Sequence, residues 1–161
     1  MMIKISGKIS ILMADDDPDD RLLVKEALEG IRTIKSLEFV ENGEELMNYL
    51  LHRGAYSHLK KISYPCLIIL DLNMPVKDGR EVLKEIKGYP ELRKIPIVVL
   101  TTSQNPEDIA CTYELGVNSY ISKPVSFAEW TEIMGTLIKY WAEIVELPIP
   151  GNGEHIGSSN N

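Results

Sequence analysis

The chain has 161 residues, of which 44% are hydrophobic and 25% are charged, as is typical of one folded domain rather than a disordered chain. Seventeen Lys and Arg residues against 24 Asp and Glu residues give a formal net charge of −7, which argues against a nucleic-acid partner. The wide separation of Cys66 and Cys111 excludes a disulfide scaffold and a CxxC zinc site. Apolar runs reach only about five residues and the start resembles no signal peptide, so we expect a cytoplasmic protein without membrane contact.

The first half of the chain alternates apolar runs with segments of helical character. Residues 9–14 predict a buried strand, and residues 17–29 predict a helix with an acidic N-cap and a proline at its first position. A weaker strand follows at residues 36–40, and a second helix begins at an Asn-Gly pair and covers residues 42–53. The connection at residues 54–65 is long and polar, and long loops in small domains are often functional.

The second half continues the alternation up to a polar tail. Its predicted strands and helices span, in chain order, residues 66–70, 79–88, 97–100, 106–115, 119–122 and 126–147. Residues 149–161 are rich in Gly, Ser and Asn and predict a flexible tail, which leaves one domain over residues 8–148. Strands that are apolar throughout are covered on both faces, so we expect a doubly wound α/β domain with a parallel sheet.

Polar side chains follow four of the five predicted strands. They are Asp15, Asp16 and Asp17 after the first strand, Asp71 after the third, Thr101, Thr102 and Ser103 after the fourth, and Lys123 after the fifth. Because the carboxyl ends of parallel strands meet at one edge of a sheet, these groups should lie together. Oxygen ligands without His or Cys favour Mg²⁺ or Mn²⁺ over Zn²⁺, and such a metal suggests a phosphoryl group as a further ligand.

Four segments carry a resemblance to a known family. They read ILMADDD at residues 11–17, LDLNMPVKDG at 70–79, VLTTS at 99–103 and YISKP at 120–124. In this order they resemble the receiver domain of two-component response regulators over about residues 8–141. The resemblance implies a flavodoxin-like (βα)₅ domain whose five-stranded parallel sheet has the order 2-1-3-4-5.

The resemblance also implies a phosphoacceptor site. Asp71 would accept a phosphoryl group from a sensor histidine kinase. Asp16, Asp71 and the backbone carbonyl of Asn73 would bind Mg²⁺, or Mn²⁺ in its place, and Asp15 would act through a metal-bound water. The protein would then be a signalling protein that catalyses only its own phosphorylation and dephosphorylation.

Further residues would respond to phosphorylation of Asp71. The resemblance implies that Lys123 and Thr101 contact phosphoryl oxygens and that Tyr120 is the aromatic switch residue. Thr102 is either part of this switch or an ordinary loop residue. Pro124 would follow a cis peptide bond that positions Lys123.

Three features of the chain indicate which kind of receiver it is, and they favour a stand-alone regulator. No further folded segment is expected after the last helix, so the output is expected to be protein–protein contact, onward phosphotransfer or competition for phosphate. The long connection and the long last helix are similar to those of small regulators that partner phytochrome histidine kinases. A phosphorelay intermediate that passes the group to a histidine phosphotransfer domain is the alternative. A HAD-like phosphohydrolase is disfavoured because such enzymes have Asp-x-Asp at the nucleophile, whereas Asp71 precedes Leu72 and Asn73.

The last predicted helix carries two apolar stripes. The stripe that should face the sheet contains Trp130, Met134, Leu137 and Trp141. The stripe on another side contains Ile133, Tyr140 and Ile144. An uncovered apolar stripe usually marks an interface, so we expect a two-fold homodimer through the second stripe unless the tail folds over it.

Overall fold

A computed structural model describes residues 7–61 and 64–148 and contains, within them, five strands and five α-helices in alternation. The strands are β1 (Ile9–Ala14), β2 (Ile34–Val40), β3 (Leu67–Leu70), β4 (Ile97–Thr101) and β5 (Ser119–Ser122). The helices are α1 (Pro18–Ala27), α2 (Gly43–Leu51), α3 (Gly79–Lys87), α4 (Pro106–Glu114) and α5 (Phe127–Lys139). The tail at residues 149–161 lies outside the described residues. None of the helices described is both long and apolar enough to cross a membrane.

All neighbouring strands are parallel and lie in the order β2-β1-β3-β4-β5, which confirms the predicted fold. Ala14 is level with Leu70, and Leu70 is level with Val99. The residues that follow β1 and β3 therefore emerge side by side at the carboxyl edge of the sheet. This register is what brings distant parts of the sequence into one site.

Two apolar cores cover the two faces of the sheet. Alternate residues of β1 divide between them, with Leu12 and Ala14 in one core and Ile11 and Met13 in the other. The first core includes residues of α2 and α3, and the second includes residues of α1 and α5. Burial on both faces explains why the central strands are apolar throughout.

The helix starts follow the predicted caps, whereas several helix ends differ. Asp17 caps α1 and Asn42 caps α2, each by accepting a backbone N–H with its side chain. Helix α1 ends at Ala27 rather than residue 29, and α2 ends at Leu51 rather than residue 53. His52 takes a left-handed conformation that closes α2, a role that usually falls to glycine and left little signal in the sequence.

The last helix differs most from its prediction. Helix α5 ends at Lys139 and a single π-helical turn, Tyr140–Ile144, follows it, so the prediction of a helix to residue 147 is wrong. The Val145 N–H donates to the Tyr140 carbonyl, five residues back, at 3.1 Å. This wider turn ends the helix, and Val145 itself is extended.

The long connection after α2 contains a 3₁₀ helix, Gly54–Lys61, which the sequence did not predict. Its Tyr56 ring lies 5.1 Å from the ring of Tyr49, centroid to centroid. The Tyr56 hydroxyl donates to the Glu45 carboxylate. The segment is therefore anchored to α2.

The loop between β3 and α3 depends on a close backbone approach. A Cβ atom on Gly79 would lie 2.5 Å from the carbonyl oxygen of Asp71, so only glycine fits there without displacement. The Gly79 N–H donates to the Leu72 carbonyl at 2.9 Å. Helix α3 thus begins directly against the end of β3, and this contact fixes the backbone that carries Asp71.

Val76, in the same loop, has an unfavourable backbone conformation. Its φ angle is +67°, in the left-handed region that β-branched residues avoid. The Lys77 N–H donates across it to the Pro75 carbonyl at 2.7 Å, which makes a tight three-residue turn. The Val76 side chain is 73% exposed, so little packing offsets the strain.

We expect Val76→Asn to raise the free energy of unfolding by roughly 1 kcal/mol, because Asn tolerates the left-handed region better than Val. Urea denaturation at constant pH measures the change. Val125→Asn is the matched control, since Val125 is 95% exposed and has no positive φ. Equal effects of the two substitutions would show that the backbone of Val76 stores no strain.

Candidate functional site

Three carboxylates from two strands meet at the carboxyl edge of the sheet. Asp15 and Asp71 are buried and Asp16 is exposed, and each offers an oxygen within 4.8 Å of the other two. The Asp71 N–H donates to the Ala14 carbonyl at 3.0 Å, which continues the pairing of β3 with β1. Strand register therefore forces these like charges together.

Lys123 brings its ammonium group into the centre of these carboxylates. Its Nζ lies 2.8 Å from Asp15 Oδ2 and 3.2 Å from Asp71 Oδ2. A third carboxylate, that of Asp20 in the first turn of α1, lies closest, with Oδ2 at 2.6 Å. The backbone N–H of Lys123 donates to the Thr101 carbonyl at 2.8 Å. This bond continues the β4–β5 pairing and places the Lys123 side chain at the site.

Burial and neighbouring charges shift the pKa values of two groups in this site. Burial raises the pKa of Asp15 to about 6, even though Lys123 and the Asp17 N–H act to lower it. Burial acts to lower the pKa of Lys123, but its hydrogen bonds to Asp15 and Asp20 outweigh burial and the pKa rises. Lys123 is therefore an ammonium ion at neutral pH, and burial disfavours the charged form of Asp15.

The donor set fits a divalent metal ion. The Lys123 ammonium pairs with Asp15, Asp20 and Asp71, and Asp16 lies beside Asp15 and Asp71, so among these described residues carboxylates outnumber the cation. Carboxylate oxygens without His or Cys suit a hard cation such as Mg²⁺ or Mn²⁺. The Asn73 N–H lies 3.4 Å from Asp71 Oδ1, so this residue borders the cluster as well.

Thr101 supplies an unusual polar group at the end of β4. The residue is buried, and its Oγ1 has no hydrogen-bond partner within the described ranges. Buried hydroxyl groups are normally paired, so this one is available to a group that enters the site. Its neighbour Thr102 is exposed.

Tyr120 is half-buried and is tied to the loop that follows Thr101. Its hydroxyl donates to the Ser103 carbonyl at 2.8 Å. The Ser103 hydroxyl donates to Asp108 Oδ2 at 2.6 Å, and the Arg80 Nε–H donates to Asp108 Oδ1 at 2.9 Å. These hydrogen bonds connect the loop to α3, α4 and β5. The sequence analysis did not predict this network of Ser103, Asp108 and Arg80.

The peptide bond before Pro124 differs from the prediction. The described residues include no cis peptide bond, so the expected cis bond is wrong and this bond is trans. The trans form is the more stable isomer by about 0.5–1 kcal/mol for a bond to proline. Lys123 reaches the carboxylates in this geometry.

The stripe predicted to face the sheet is buried, and the second stripe is not. Trp130, Met134, Leu137 and Trp141 are all buried. Tyr140 is 49% exposed and Ile144 is 60% exposed, while Ile133 is partly buried. Ile133 and Tyr140 line a groove of about 580 Å³ between β5 and α5.

Asp20 is a site residue that sequence reasoning missed. The sequence indicated only a favourable acidic charge in the first turn of a helix. Asp20 lies in the first turn of α1, three residues after the N-cap Asp17, and this closeness to Asp15 and Asp16 in the sequence is the signal that could have identified it.

Comparisons with known proteins agree on one family. The sequence model described as the response regulator receiver domain matches residues 11–134. The chain is 41% identical over 138 residues to response regulator Rcp1 of Synechocystis sp., covering 86% of this chain and 92% of Rcp1. The match therefore extends over most of both chains.

Two solved structures are similar throughout the domain. The phosphorylated cyanobacterial phytochrome response regulator RcpA has a TM-score of 0.82 and 40% identity, with 88% of this chain and 99% of that one covered. The Mn²⁺-bound form of response regulator Rcp1 has a TM-score of 0.79 and 40% identity, with 87% and 99% covered. The latter fits the divalent metal binding that the acidic cluster suggests.

The raised pKa of Asp15 predicts a pH-dependent effect of Asp15→Asn in metal-free buffer. An aspartate whose folded-state pKa is above its unfolded value costs stability as pH rises from about 4 to about 6. The asparagine variant avoids this cost, so it should exceed the wild type in unfolding free energy by roughly 1–3 kcal/mol at pH 7 and match it near pH 4.

Urea denaturation of both proteins across this pH range provides the measurement. At pH 7, saturating Mg²⁺ should narrow or reverse the difference in unfolding free energy between Asp15→Asn and the wild type, because the metal offsets the negative charge of Asp15. A difference that stays constant from pH 4 to pH 7 would contradict the raised pKa.

Proposed function

Because the chain belongs to the response regulator receiver family, we propose that it is a stand-alone regulator phosphorylated on Asp71 by a sensor histidine kinase. The observation that carries this proposal is the environment of the Asp71 carboxylate. It is buried at the end of a central strand, within 4.8 Å of two further carboxylates, and Lys123 Nζ lies 3.2 Å away. No packing requirement explains so much charge at the end of a sheet.

The reaction assigned to Asp71 is a direct phosphoryl transfer. A carboxylate oxygen forms a bond to phosphorus while the bond from phosphorus to the kinase histidine nitrogen breaks, which leaves an acyl phosphate. Asp15, Asp16, Asp71 and the Asn73 carbonyl are the proposed holders of Mg²⁺, with Asp15 acting through water. When bound, Mg²⁺ neutralises negative charge on the phosphoryl group.

The remaining site residues are proposed to respond to the phosphorylation of Asp71. Lys123 pairs with one phosphoryl oxygen, which its present distance from Asp71 supports. Thr101 donates its unpartnered hydroxyl to another, and Tyr120 and Thr102 follow the resulting movement of the loop. The hydrogen bond from Tyr120 to Ser103 gives such a movement a route to β5.

The kinase is proposed to be of the phytochrome type. The support is the likeness to RcpA and Rcp1, of which RcpA is described as a phytochrome response regulator. The protein itself would be a cytoplasmic signalling protein, with phosphorylation-dependent protein contacts as its output.

We expect acetyl phosphate and Mg²⁺ to add one phosphoryl group to the wild type and none to Asp71→Asn, as measured by intact-protein mass spectrometry. Asp78→Asn is the matched control, because it makes the same change in the same loop and Asn caps a helix as well as Asp does. Chelation of Mg²⁺ should stop phosphorylation of both the wild type and Asp78→Asn. Phosphorylation of Asp71→Asn at the wild-type rate would refute the assignment.

We further propose a two-fold homodimer through Ile133, Tyr140 and Ile144. The exposure of Tyr140 and Ile144, and the apolar groove beside Ile133, support a contact on this face. The competing occupant is the tail at residues 149–161, which lies outside the described residues.

Light scattering at micromolar concentrations, with and without beryllofluoride as a phosphoryl mimic, tests the dimer. The wild type should be dimeric in at least one state, and Ile133→Glu and Tyr140→Glu should be monomeric in both. Leu22→Glu is the control, since Leu22 is a similarly exposed apolar residue on α1. A monomeric wild type in both states, or a dimer that neither substitution disturbs, would overturn the proposal.

A further inference from the structure

The ammonium group of Lys123 has a partner outside the acidic cluster. Asp20 Oδ2 lies 2.6 Å from Nζ, against 2.8 Å for Asp15 and 3.2 Å for Asp71. The ammonium donates hydrogen bonds to Asp20 and Asp71 and forms an ion pair with Asp15. Asp20 stands on a helix, whereas Asp15 and Asp71 follow strands.

Two of these three partners are also proposed metal-binding residues. Asp15 and Asp71 offer oxygens to the same cluster as Asp16, so Lys123 and a divalent cation compete for their charge. The Lys123 side chain is only 6% exposed, and a buried ammonium without an anion is strongly unfavourable. Asp20 can remain its counter-ion when the other two carboxylates serve a metal.

We propose that Asp20 is a positioning residue that holds Lys123 beside Asp71 and thereby lets Asp15 and Asp71 exchange the ammonium for a divalent cation. The inference rests on the proposed function for the identity of the metal-binding carboxylates. Asp20 itself is not one of the proposed metal-binding residues. Its role is to keep the lysine charge balanced and in place before and after the metal binds.

Asp19 provides a matched comparison for this role. It is acidic, lies in the same first turn of α1 and is exposed. In the described part of the chain, the ion pairs of Lys123 go to Asp15, Asp20 and Asp71 and not to Asp19. Neutralising either residue removes one unit of charge near the site, but only Asp20 contacts the ammonium.

Calorimetric titration of the unphosphorylated protein with Mg²⁺ measures the effect. We expect Asp20→Asn to weaken Mg²⁺ binding about tenfold, the scale of one hydrogen bond to a charged group. Asp19→Asn should weaken it less than about twofold, because salt screens an exposed charge. Asp20→Glu, which keeps the charge, should restore affinity to within about twofold of the wild type.

A double-mutant cycle identifies the route of the effect. In a Lys123→Gln background there is no ammonium to hold, so Asp20→Asn should have no more effect on Mg²⁺ affinity than Asp19→Asn. Equal losses for the two aspartates in the wild-type background would overturn the proposal, and so would an undiminished Asp20→Asn effect beside Lys123→Gln. Circular dichroism checks the fold of each variant, and Asp20→Ser replaces Asp20→Asn if the latter is unfolded.

Failure of this inference can be told apart from failure of the proposed function. Phosphorylation of Asp71 by acetyl phosphate is scored on the same wild-type sample. A wild type that binds Mg²⁺ with the expected pattern of variants but takes no phosphoryl group contradicts the proposed function alone. A phosphorylated wild type without the coupling between Asp20 and Lys123 contradicts the role of Asp20 alone.

Discussion

The ion pairs of Lys123 are the interaction on which the carboxyl edge of the sheet depends. Without that ammonium, the carboxylates of Asp15, Asp20 and Asp71 would face one another with little to balance their charge. The lysine directly follows the last strand, and its partners directly follow the first strand, lie on the first helix and directly follow the third strand. One charge therefore joins parts of the chain that are up to 103 residues apart.

The loop after β3 and the end of β4 are constrained as well. Gly79 lets α3 begin against the carbonyl of Asp71, and Val76 accepts a strained conformation in the connecting loop. At the end of the neighbouring strand, the hydroxyl of Thr101 has no hydrogen-bond partner among the residues that the structure describes. Such departures from ordinary backbone and hydrogen-bond rules cluster at functional sites, where the rest of the fold stabilises them.

The sequence was informative where a local pattern decides the structure. Apolar runs located the five strands, and cap residues such as Asp17 and Asn42 located helix starts, because these signals act over a few residues. The strand order and the roles at Asp71 and Lys123 came from the resemblance to receivers. The order is confirmed, and the roles stay predictions.

The missed features of the site depend on contacts between distant segments. Asp20 reads as a helix-dipole acid until Lys123 approaches it from the far end of the chain. The link from Ser103 through Asp108 to Arg80 likewise joins three separate elements. The 3₁₀ helix at Gly54–Lys61 and the turn after α5 depend on local hydrogen bonding that apolar spacing does not encode.

The π-helical turn at Tyr140–Ile144 has a consequence for joining other proteins to this one. A turn closed by a bond across five residues rather than four shifts the angular phase of everything after it. A helix fused after Val145 would not continue α5 in any phase, because Val145 is extended. A chimera that needs one rigid rod from α5 into its partner must therefore be joined at or before Lys139, whereas a flexible junction can retain the turn.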